Sequence, residues 1–265
     1  MGLVSPLNTY KITLQYKGTN YLGFQVQPKG LTIQGELNNA LRILSKSDEV
    51  KSIGSGRTDS GVHAFAQIVR VEIPVDIPEE SLARAINSHL PQDIRIIASS
   101  RCSNEFHPIF SAQSKEYNYV FSNEQNISPF ANDLVTLYPF DLDIEEMRKG
   151  CKLFCGQHDF INFQCTGTEV GTTVRQIFSC ELIHYQSEGH WKHMLNDYYV
   201  FHVVGNGFLK QMVRLMMGAL WSLGRGKISL ETLENSLKPT IDCVRQKRLG
   251  ATAPPQGLYL KEVFY

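Results

Sequence analysis

The sequence predicts an α+β protein of two similar halves, each with the element order β-α-β-β-α-β. Alternating apolar and polar residues, as at 10–16, indicate half-buried strands, and apolar residues at helical spacing indicate helices that pack on them. The order of these segments repeats once along the chain. We therefore expect two antiparallel sheets, each with helices on one face, and an active-site cleft between the halves.

The first half is predicted to span residues 8–104. Its first helix begins after the N-cap Thr32, and its second helix surrounds Leu82 and ends before Pro91. Four short strands complete this half, at residues 10–16, 50–54, 69–73 and 94–96.

The second half is predicted to span residues 105–265. Asp143 and Glu146 have the spacing of a capping box, here with Asp as the cap, and predict the start of a helix. A long apolar helix is predicted from about residue 208 to residue 223, and a shorter one from Ser229. Strands are predicted at residues 117–121, 174–184, 198–204 and 258–264.

Composition limits the classes of protein to consider. The 265 residues, 42% of them hydrophobic, are enough to bury a substantial core. The 26 basic residues balance the 26 acidic ones, so a nucleic-acid partner would require the basic residues to cluster in space. No apolar run is long enough to cross a membrane, and the first residues lack the pattern of a secretory signal. We expect a cytoplasmic protein with no membrane contact.

The cysteines do not indicate a metal site. All 6 are scattered without CxxC pairs, which is typical of reduced thiols in a cytosolic protein. Cys151 and Cys155 can face each other on a helix, but no His or Cys pair nearby completes a zinc site. A nucleotide-binding glycine loop is also missing. The sequence therefore predicts neither a metal nor a cofactor.

The densest run of small and polar residues lies at 54–64, between two predicted strands. Its glycines permit backbone conformations closed to other residues and let a substrate come close. Arg57, Asp59 and His63 supply a cation, a carboxylate and an imidazole. The same run is compatible with a tight structural turn in which Asp59 bonds its own backbone, and the pattern alone favours that interpretation.

A family resemblance favours a functional role for this run over a purely structural turn. Residues 57–64, preceded by Gly56, closely resemble the catalytic motif G-R-T-D-A-G-V-H-A of TruA-type tRNA pseudouridine synthases, and only Ser60 departs from it. Further segments resemble the family in the family's own order along nearly the whole chain. They are residues 16–25, 32–37, 86–94, 106–107, 115–119, 158–160, 206–214 and 253–260.

The resemblance implies an enzyme that isomerises uridine to pseudouridine in tRNA, with Asp59 as the catalytic nucleophile. The reaction breaks a C–N glycosidic bond and rejoins the same base through carbon, and a carboxylate can divide it through a covalent intermediate. Attack on the sugar, attack on the base and initial removal of a sugar proton all remain open. The family acts on positions 38 to 40 of the anticodon stem-loop and works as a homodimer, so we expect both here.

Two residues of the second half are implied to bind substrate beside Asp59. Arg214 matches an Arg that pairs with the catalytic Asp in similar proteins, where a cation keeps a buried carboxylate ionised. Its alternative role is to snorkel from an otherwise apolar helix. Tyr117 matches a Tyr that stacks on the target base. Its alternative is an ordinary core position, because Tyr119 and Phe121 share its strand face.

The remaining candidates are weaker. Arg57 can clamp a phosphate or help to flip the nucleotide, or it can be a surface residue of a turn. Lys210 and Arg175 are possible RNA contacts, with a solvated surface charge as the even alternative for each. His63 is interpreted as a hydrogen-bonded residue that stabilises the loop rather than as a general base.

Three residues depart from the family pattern. Lys17 stands where Asp is usual, Phe24 where Trp is usual, and Ile109 where Arg is usual. Phe24 keeps apolar bulk but lacks an indole N–H, and Ile109 lacks a cation that would contact RNA. These changes bear on RNA docking and leave the chemistry unaffected.

Two rival functions fit these residues less well. An RNA-binding protein without activity is disfavoured because Asp59, Tyr117 and Arg214 are all retained. A nucleosidase or glycosidase with a carboxylate pair is disfavoured because the motif places no second acidic residue near Asp59.

Overall fold

The computed structural model of the protein describes residues 7–165, 167, 170–238 and 248–265. It is a mixed protein of helices and mostly antiparallel strands, as the sequence predicts. The described residues divide into two compact units. The first comprises the residues up to Gln113 together with Leu260–Tyr265, and the second comprises Ser114–Tyr259.

The first unit has the element order β-α-β-β-α-β before its final strand. Its strands and helices are β1 (Asn8–Tyr16), α1 (Ile33–Ser45), β2 (Lys51–Gly54), β3 (His63–Ile73), α2 (Glu79–Asn87) and β4 (Ile94–Arg101).

The sheet of this unit has the order β4-β1-β3, with β2 paired to β3. Both β3 and β4 are antiparallel to β1. The register places Tyr16 opposite Ala64, with an irregularity just before this pair. The end of β1 therefore lies beside the loop that leads into β3.

Helix α1 forms as its sequence predicts. The Thr32 side chain accepts a hydrogen bond from the Gly35 amide, which satisfies a backbone donor of the first turn. One face of the helix is buried, and its members are Ile33, Leu37, Ala40 and Leu41.

The second unit has more strands than predicted. It contains β5 (Ser114–Ser122), β6 (Thr136–Leu137), α3 (Ile144–Phe154), β7 (Gly156–Asp159), β8 (Val174–Gln186), β9 (Asp197–Gly205), α4 (Met212–Gly224) and α5 (Leu230–Asn235). The strand order is β5-β9-β8-β7, and the short β6 runs parallel to β5. The last strand, β10 (Leu258–Phe264), begins in this unit and continues into the first.

Two predicted helix starts are confirmed. The Asp143 carboxylate accepts from the Glu146 amide at 2.8 Å at the start of α3. The Ser229 hydroxyl accepts from the Thr232 amide at 3.1 Å at the start of α5. Both are side-chain caps of the kind that the sequence patterns indicate.

The predicted start of the long apolar helix near residue 208 is wrong, because α4 begins at Met212. Gln211 has φ 62°, a left-handed conformation that a right-handed helix cannot include. Phe208 and Leu209 fit a helical spacing but belong to the loop before the helix. The Phe208 ring instead packs edge-on against Tyr117, with 5.0 Å between ring centroids.

Candidate active site

Asp59 lies in the loop between β2 and β3 of the first unit. Its side chain is half-buried, the preceding Thr58 is buried, and Arg57 is exposed. The loop thus presents a carboxylate that is neither sealed in the core nor fully solvated. Arg57 and Asp59 are brought together in one loop, as their spacing in the sequence requires.

The loop is fastened to residues 21–24 on both sides of Asp59. Before it, the Thr58 carbonyl accepts from the Phe24 amide at 3.1 Å. After it, the Tyr21 carbonyl accepts from the Gly61 amide at 3.3 Å and from the Ser60 hydroxyl at 3.1 Å. Asp59 is therefore held by its neighbours' backbone on each side.

Two glycines outside the motif make this close approach possible. A Cβ on Gly18 would lie 1.9 Å from the Val62 carbonyl oxygen. Gly23 has φ +99°, and a Cβ there would lie 2.6 Å from the Thr58 carbonyl oxygen. No other residue fits either position without moving the Asp59 loop.

Side chains beneath the loop add further restraints. His63 is 1% exposed, and its Nδ1 accepts from the Gly18 amide at 2.9 Å, which agrees with the loop-stabilising role predicted for it. The Tyr16 and Thr58 hydroxyls are 2.8 Å apart and hydrogen-bonded. Both contacts join the loop to the end of β1 and the turn after it.

The Tyr21 side chain secures the segment that accepts the loop. Its hydroxyl donates to the Asp93 carboxylate at 2.6 Å. Burial, and next the hydrogen bond to Asp93, raise the pKa of Tyr21 above its ordinary value, so the hydroxyl keeps its proton as a donor.

The base of the loop rests on a buried amide. Gln67 is fully buried, and its Nε2 donates to the Gly56 carbonyl at 2.6 Å. The Ser55 hydroxyl donates to Gln67 Oε1 at 2.9 Å. Phe24, which departs from the family's Trp, packs over Gly54, where a Cβ would meet its ring at 2.5 Å. Phe24 therefore supports the start of the loop by packing.

The other two departures differ in their surroundings. The side chain of Lys17 is half-buried in the turn after β1, where its amide donates to the Asp93 carbonyl at 2.9 Å. Ile109 is exposed, beside the strongly exposed Phe110.

In the second unit, Tyr117 lies on β5 at the rim of an aromatic cluster. It is 9% exposed, whereas Tyr119 and Phe121 on the same strand face are fully buried. The Tyr119 hydroxyl is engaged with Thr136 at 2.7 Å and with the Pro254 carbonyl at 2.8 Å. Of the three aromatic residues, Tyr117 is the one that retains some exposed surface.

Arg214 lies in the first turn of α4 and is half-buried. Its Nε donates to the Ala253 carbonyl at 2.7 Å, and the Ala253 amide donates back to the Arg214 carbonyl at 3.1 Å. The first bond restrains the guanidinium, and the second joins the backbone of α4 to that of residue 253. Arg214 is thus a positioned cation rather than a side chain that extends freely from the helix.

Arg175, at the start of β8, lies near the loop that carries Lys210. Lys210 is exposed in the loop before α4. Arg175 donates to the Thr172 carbonyl at 2.9 Å and to the Val174 carbonyl at 2.6 Å, and burial lowers its pKa. A Cβ on Gly207 would lie 3.7 Å from Arg175 Nε, so Arg175 borders the loop that carries Lys210.

Sequence reasoning missed the supporting residues of the Asp59 loop, above all Gly18, Gly23 and Gln67. No local pattern singles out the two glycines, because their contacts are with the loop at residues 58–62, far along the chain. Across the described ranges, no group of His, Cys, Asp or Glu side chains has an arrangement that could hold a metal ion. No helix in the same ranges is long and apolar enough to span a membrane.

Comparison with known proteins decides the family. A family model described as tRNA pseudouridine synthase matches residues 12–111 and 151–265, which include the Asp59 loop and Arg214. The chain belongs to the tRNA pseudouridine synthase family. It is accordingly an isomerase, and the family indicates tRNA pseudouridylation as its activity.

Individual family members align along nearly the whole chain. A protein named tRNA pseudouridine synthase A from Bacillus pumilus (strain SAFR-032) is 40% identical over 256 residues, covering 96% of this chain and 98% of its own. Proteins of the same name from Lacticaseibacillus casei (strain BL23) and Listeria monocytogenes serotype 4a (strain HCC23) are 38% and 36% identical. They cover 97% and 98% of this chain and 99% and 100% of their own.

Proposed function

We propose that this enzyme converts uridine to pseudouridine at positions 38 to 40 of the tRNA anticodon stem-loop, with Asp59 as the catalytic nucleophile. The observation that carries the proposal is the fastening of the Asp59 loop on both sides of a half-buried carboxylate. A nucleophile gains most from being held in one orientation before the substrate arrives. Membership of the family supports the reaction class.

The chemistry needs a carboxylate and proton transfers. The glycosidic C–N bond breaks, the base turns, and a C–C bond forms between the sugar and C5 of the same base. The proton on C5 is then lost and the ring nitrogen gains one, so the reaction is redox-neutral. Asp59 would form a transient covalent bond with the substrate and be regenerated intact.

Tyr117, Arg214 and Arg57 serve the same reaction in this proposal. Tyr117 stacks on the target base, and its rim position on β5 supports that role. Arg214 is the cation that orients the Asp59 carboxylate, in an active site formed between the halves of the chain. Its fixed guanidinium supports this, since Arg grips a carboxylate bidentately. Arg57, exposed beside Asp59, assists extrusion of the nucleotide.

Lys210 and Arg175 are proposed to contact the RNA backbone. The chain has no net charge, so binding of tRNA must rely on clustered cations. A homodimer in the cytoplasm completes the proposal, because two copies can assemble a longer basic surface than one.

The test is to map pseudouridine in tRNA transcripts after incubation with the enzyme. Transcripts with uridine at 38, 39 or 40 should each gain pseudouridine, and matched transcripts with cytidine at all three positions should gain none. Pseudouridine at other positions would overturn the proposed site. Free uracil as the product would indicate a hydrolase instead.

A further inference from the structure

A cavity lies in the second unit, beside the C-terminal half of α4 and away from the Asp59 loop in sequence. Its volume is about 390 Å³, which is within the range of small-molecule sites. Its walls come from β6 and the residues after it, from α4 and the turn after it, and from residues 251–254. None of the candidate active-site residues lines it.

One wall of the cavity is aromatic. The ring of Tyr138 stacks on that of Trp221, with centroids 4.1 Å apart and planes 4° from parallel. Phe140 packs edge-on against Tyr138 at 4.8 Å and is 42% exposed. Such a wall suits a planar ligand, because offset stacking and edge contacts are favourable for π systems.

The charged side chains in the described lining of the cavity are all positive. Arg225 and Lys227 line it, and the described lining contains no carboxylate. The Arg225 guanidinium lies 3.9 Å from the Phe140 ring centroid, and its Nη1 is 3.5 Å from the Tyr138 hydroxyl. Lys227 is exposed at the mouth. Two cations without a matching anion favour a negatively charged ligand.

Hydroxyl side chains contribute to the rest of the lining. Ser222 and Thr252 both belong to it. They supply polar groups beside the two cations without adding a negative charge.

We propose that this cavity is a nucleotide-binding site. The phosphate is taken by Arg225 and Lys227, and the base lies against the half-buried Tyr138 and the exposed Phe140. The ligand is either a nucleotide of the bound tRNA other than the target uridine or a free nucleotide. The first source rests on the proposed function, and the second does not.

The cavity is connected to a residue of the proposed active site. Thr252 and Pro254 line it, and Ala253 between them holds the Arg214 guanidinium. The same segment packs directly on α4, since a Cβ on Gly218 would lie 1.9 Å from the Ala251 carbonyl oxygen. A ligand in the cavity therefore contacts the segment that positions Arg214.

Binding is tested by titrating the full-length protein with uridine 5′-monophosphate and, separately, with inorganic phosphate. The chain has 2 tryptophans, so Trp191→Phe leaves Trp221 as the single fluorescent reporter, and calorimetry gives the affinity. We expect a saturable change with the nucleotide. Arg225→Gln and Lys227→Gln should each weaken binding about tenfold, as expected for the loss of a charged hydrogen bond.

Lys152→Gln is the matched control, because it removes an exposed lysine of the same unit outside the cavity. It should leave affinity unchanged. The proposal would be overturned if the nucleotide did not bind saturably and Lys227→Gln left the KM for tRNA unchanged. Equal losses in Lys152→Gln and Lys227→Gln would also overturn it, as would phosphate binding as tightly as the nucleotide.

Kinetics with tRNA distinguish the two sources. If the site takes a tRNA nucleotide, Lys227→Gln raises the KM for tRNA several-fold with kcat unchanged, and the free nucleotide competes with tRNA. If it takes a free nucleotide, the variant loses nucleotide binding while the KM for tRNA stays the same. Asp59→Asn tests the two proposals separately. This variant should bind the nucleotide as the unchanged protein does, whether or not it retains pseudouridine-forming activity.

Discussion

The Asp59 loop and the first turn of α4 hold their charged residues in different ways. Asp59 is positioned by its neighbours, through backbone hydrogen bonds on both sides and glycines against which the loop packs. Arg214 is positioned by its own side chain, through Nε to the Ala253 carbonyl. The loop therefore depends on residues that lack side chains, whereas the helix site depends on the identity of one side chain.

This difference predicts where each site is sensitive to mutation. The Asp59 loop should be damaged by changes at positions that never touch the substrate. The Arg214 site should tolerate changes around it but not the replacement of Arg by another cation. We expect the loss of activity to decrease in the order Gly18→Ala, Arg214→Lys and Ser60→Ala.

Among the changes that leave Asp59 itself in place, Gly18→Ala should have the largest effect. The new Cβ would meet the Val62 carbonyl oxygen at 1.9 Å, so the loop must move by about 1 Å or more. We expect activity to fall about a hundredfold or further, and the free energy of unfolding to fall by about 1–3 kcal/mol. Single-turnover kinetics and urea unfolding measure the two effects.

Gly171→Ala is the control for this change, because a Cβ there meets nothing within 4 Å. It should alter neither activity nor stability. Wild-type activity in Gly18→Ala would mean that the fastening of the loop does not matter for the reaction.

Arg214→Lys should come next. Lysine keeps the charge but has no Nε–H to donate to Ala253, so the cation loses its fixed orientation. We expect the rate constant to fall by up to about a hundredfold, with little loss of stability. Measurement of kcat and of the unfolding midpoint gives both quantities.

Arg148→Lys controls for the loss of an Arg-to-backbone hydrogen bond. Arg148 Nε donates to the Leu182 carbonyl at 3.2 Å in the same unit, outside the proposed site. Its replacement should leave the rate unchanged. Similar losses in the two variants would contradict a specific role for Arg214.

Ser60→Ala should have the smallest effect. Ser60 departs from the family's Ala, and its hydroxyl adds a 3.1 Å hydrogen bond to the Tyr21 carbonyl beside Asp59. Removing it should cost about 0.5–1.5 kcal/mol of stability and only a few-fold in rate, because the backbone bonds of the loop remain. Ser99→Ala, which removes an exposed bond to the Glu79 carbonyl, is the control. A large loss of rate in Ser60→Ala would show that the backbone bonds alone do not hold the loop.

The two regions also differ in how far they could be predicted from sequence. The Asp59 loop stands out because a run of glycines and polar residues lies between two predicted strands. Tyr117 does not stand out, because Tyr119 and Phe121 share its strand face and the pattern alone indicates core. Arg214 is surrounded by apolar residues in the same way. For these two residues, only the family resemblance suggests a role in the site.

Long-range contacts explain what the sequence could not predict. Gly18 and Gly23 look like ordinary turn residues until the loop at 58–62 packs against them. The left-handed Gln211 interrupts an apolar run that fits helical spacing, so α4 starts later than predicted. The cavity beside α4 draws its walls from several separate segments, none of which carries a recognisable motif.

The most direct test of Asp59 as nucleophile is tritium release from tRNA that contains 5-labelled uridine. Asp59→Asn keeps the size of the side chain and removes its charge. The matched control is Asp48→Asn, whose side chain is 99% exposed in the same unit. We expect no release by Asp59→Asn and normal release by Asp48→Asn. Both should bind tRNA within about twofold of the unchanged protein, because Asn preserves the size of each side chain. Substantial release by Asp59→Asn would contradict the assignment of the nucleophile.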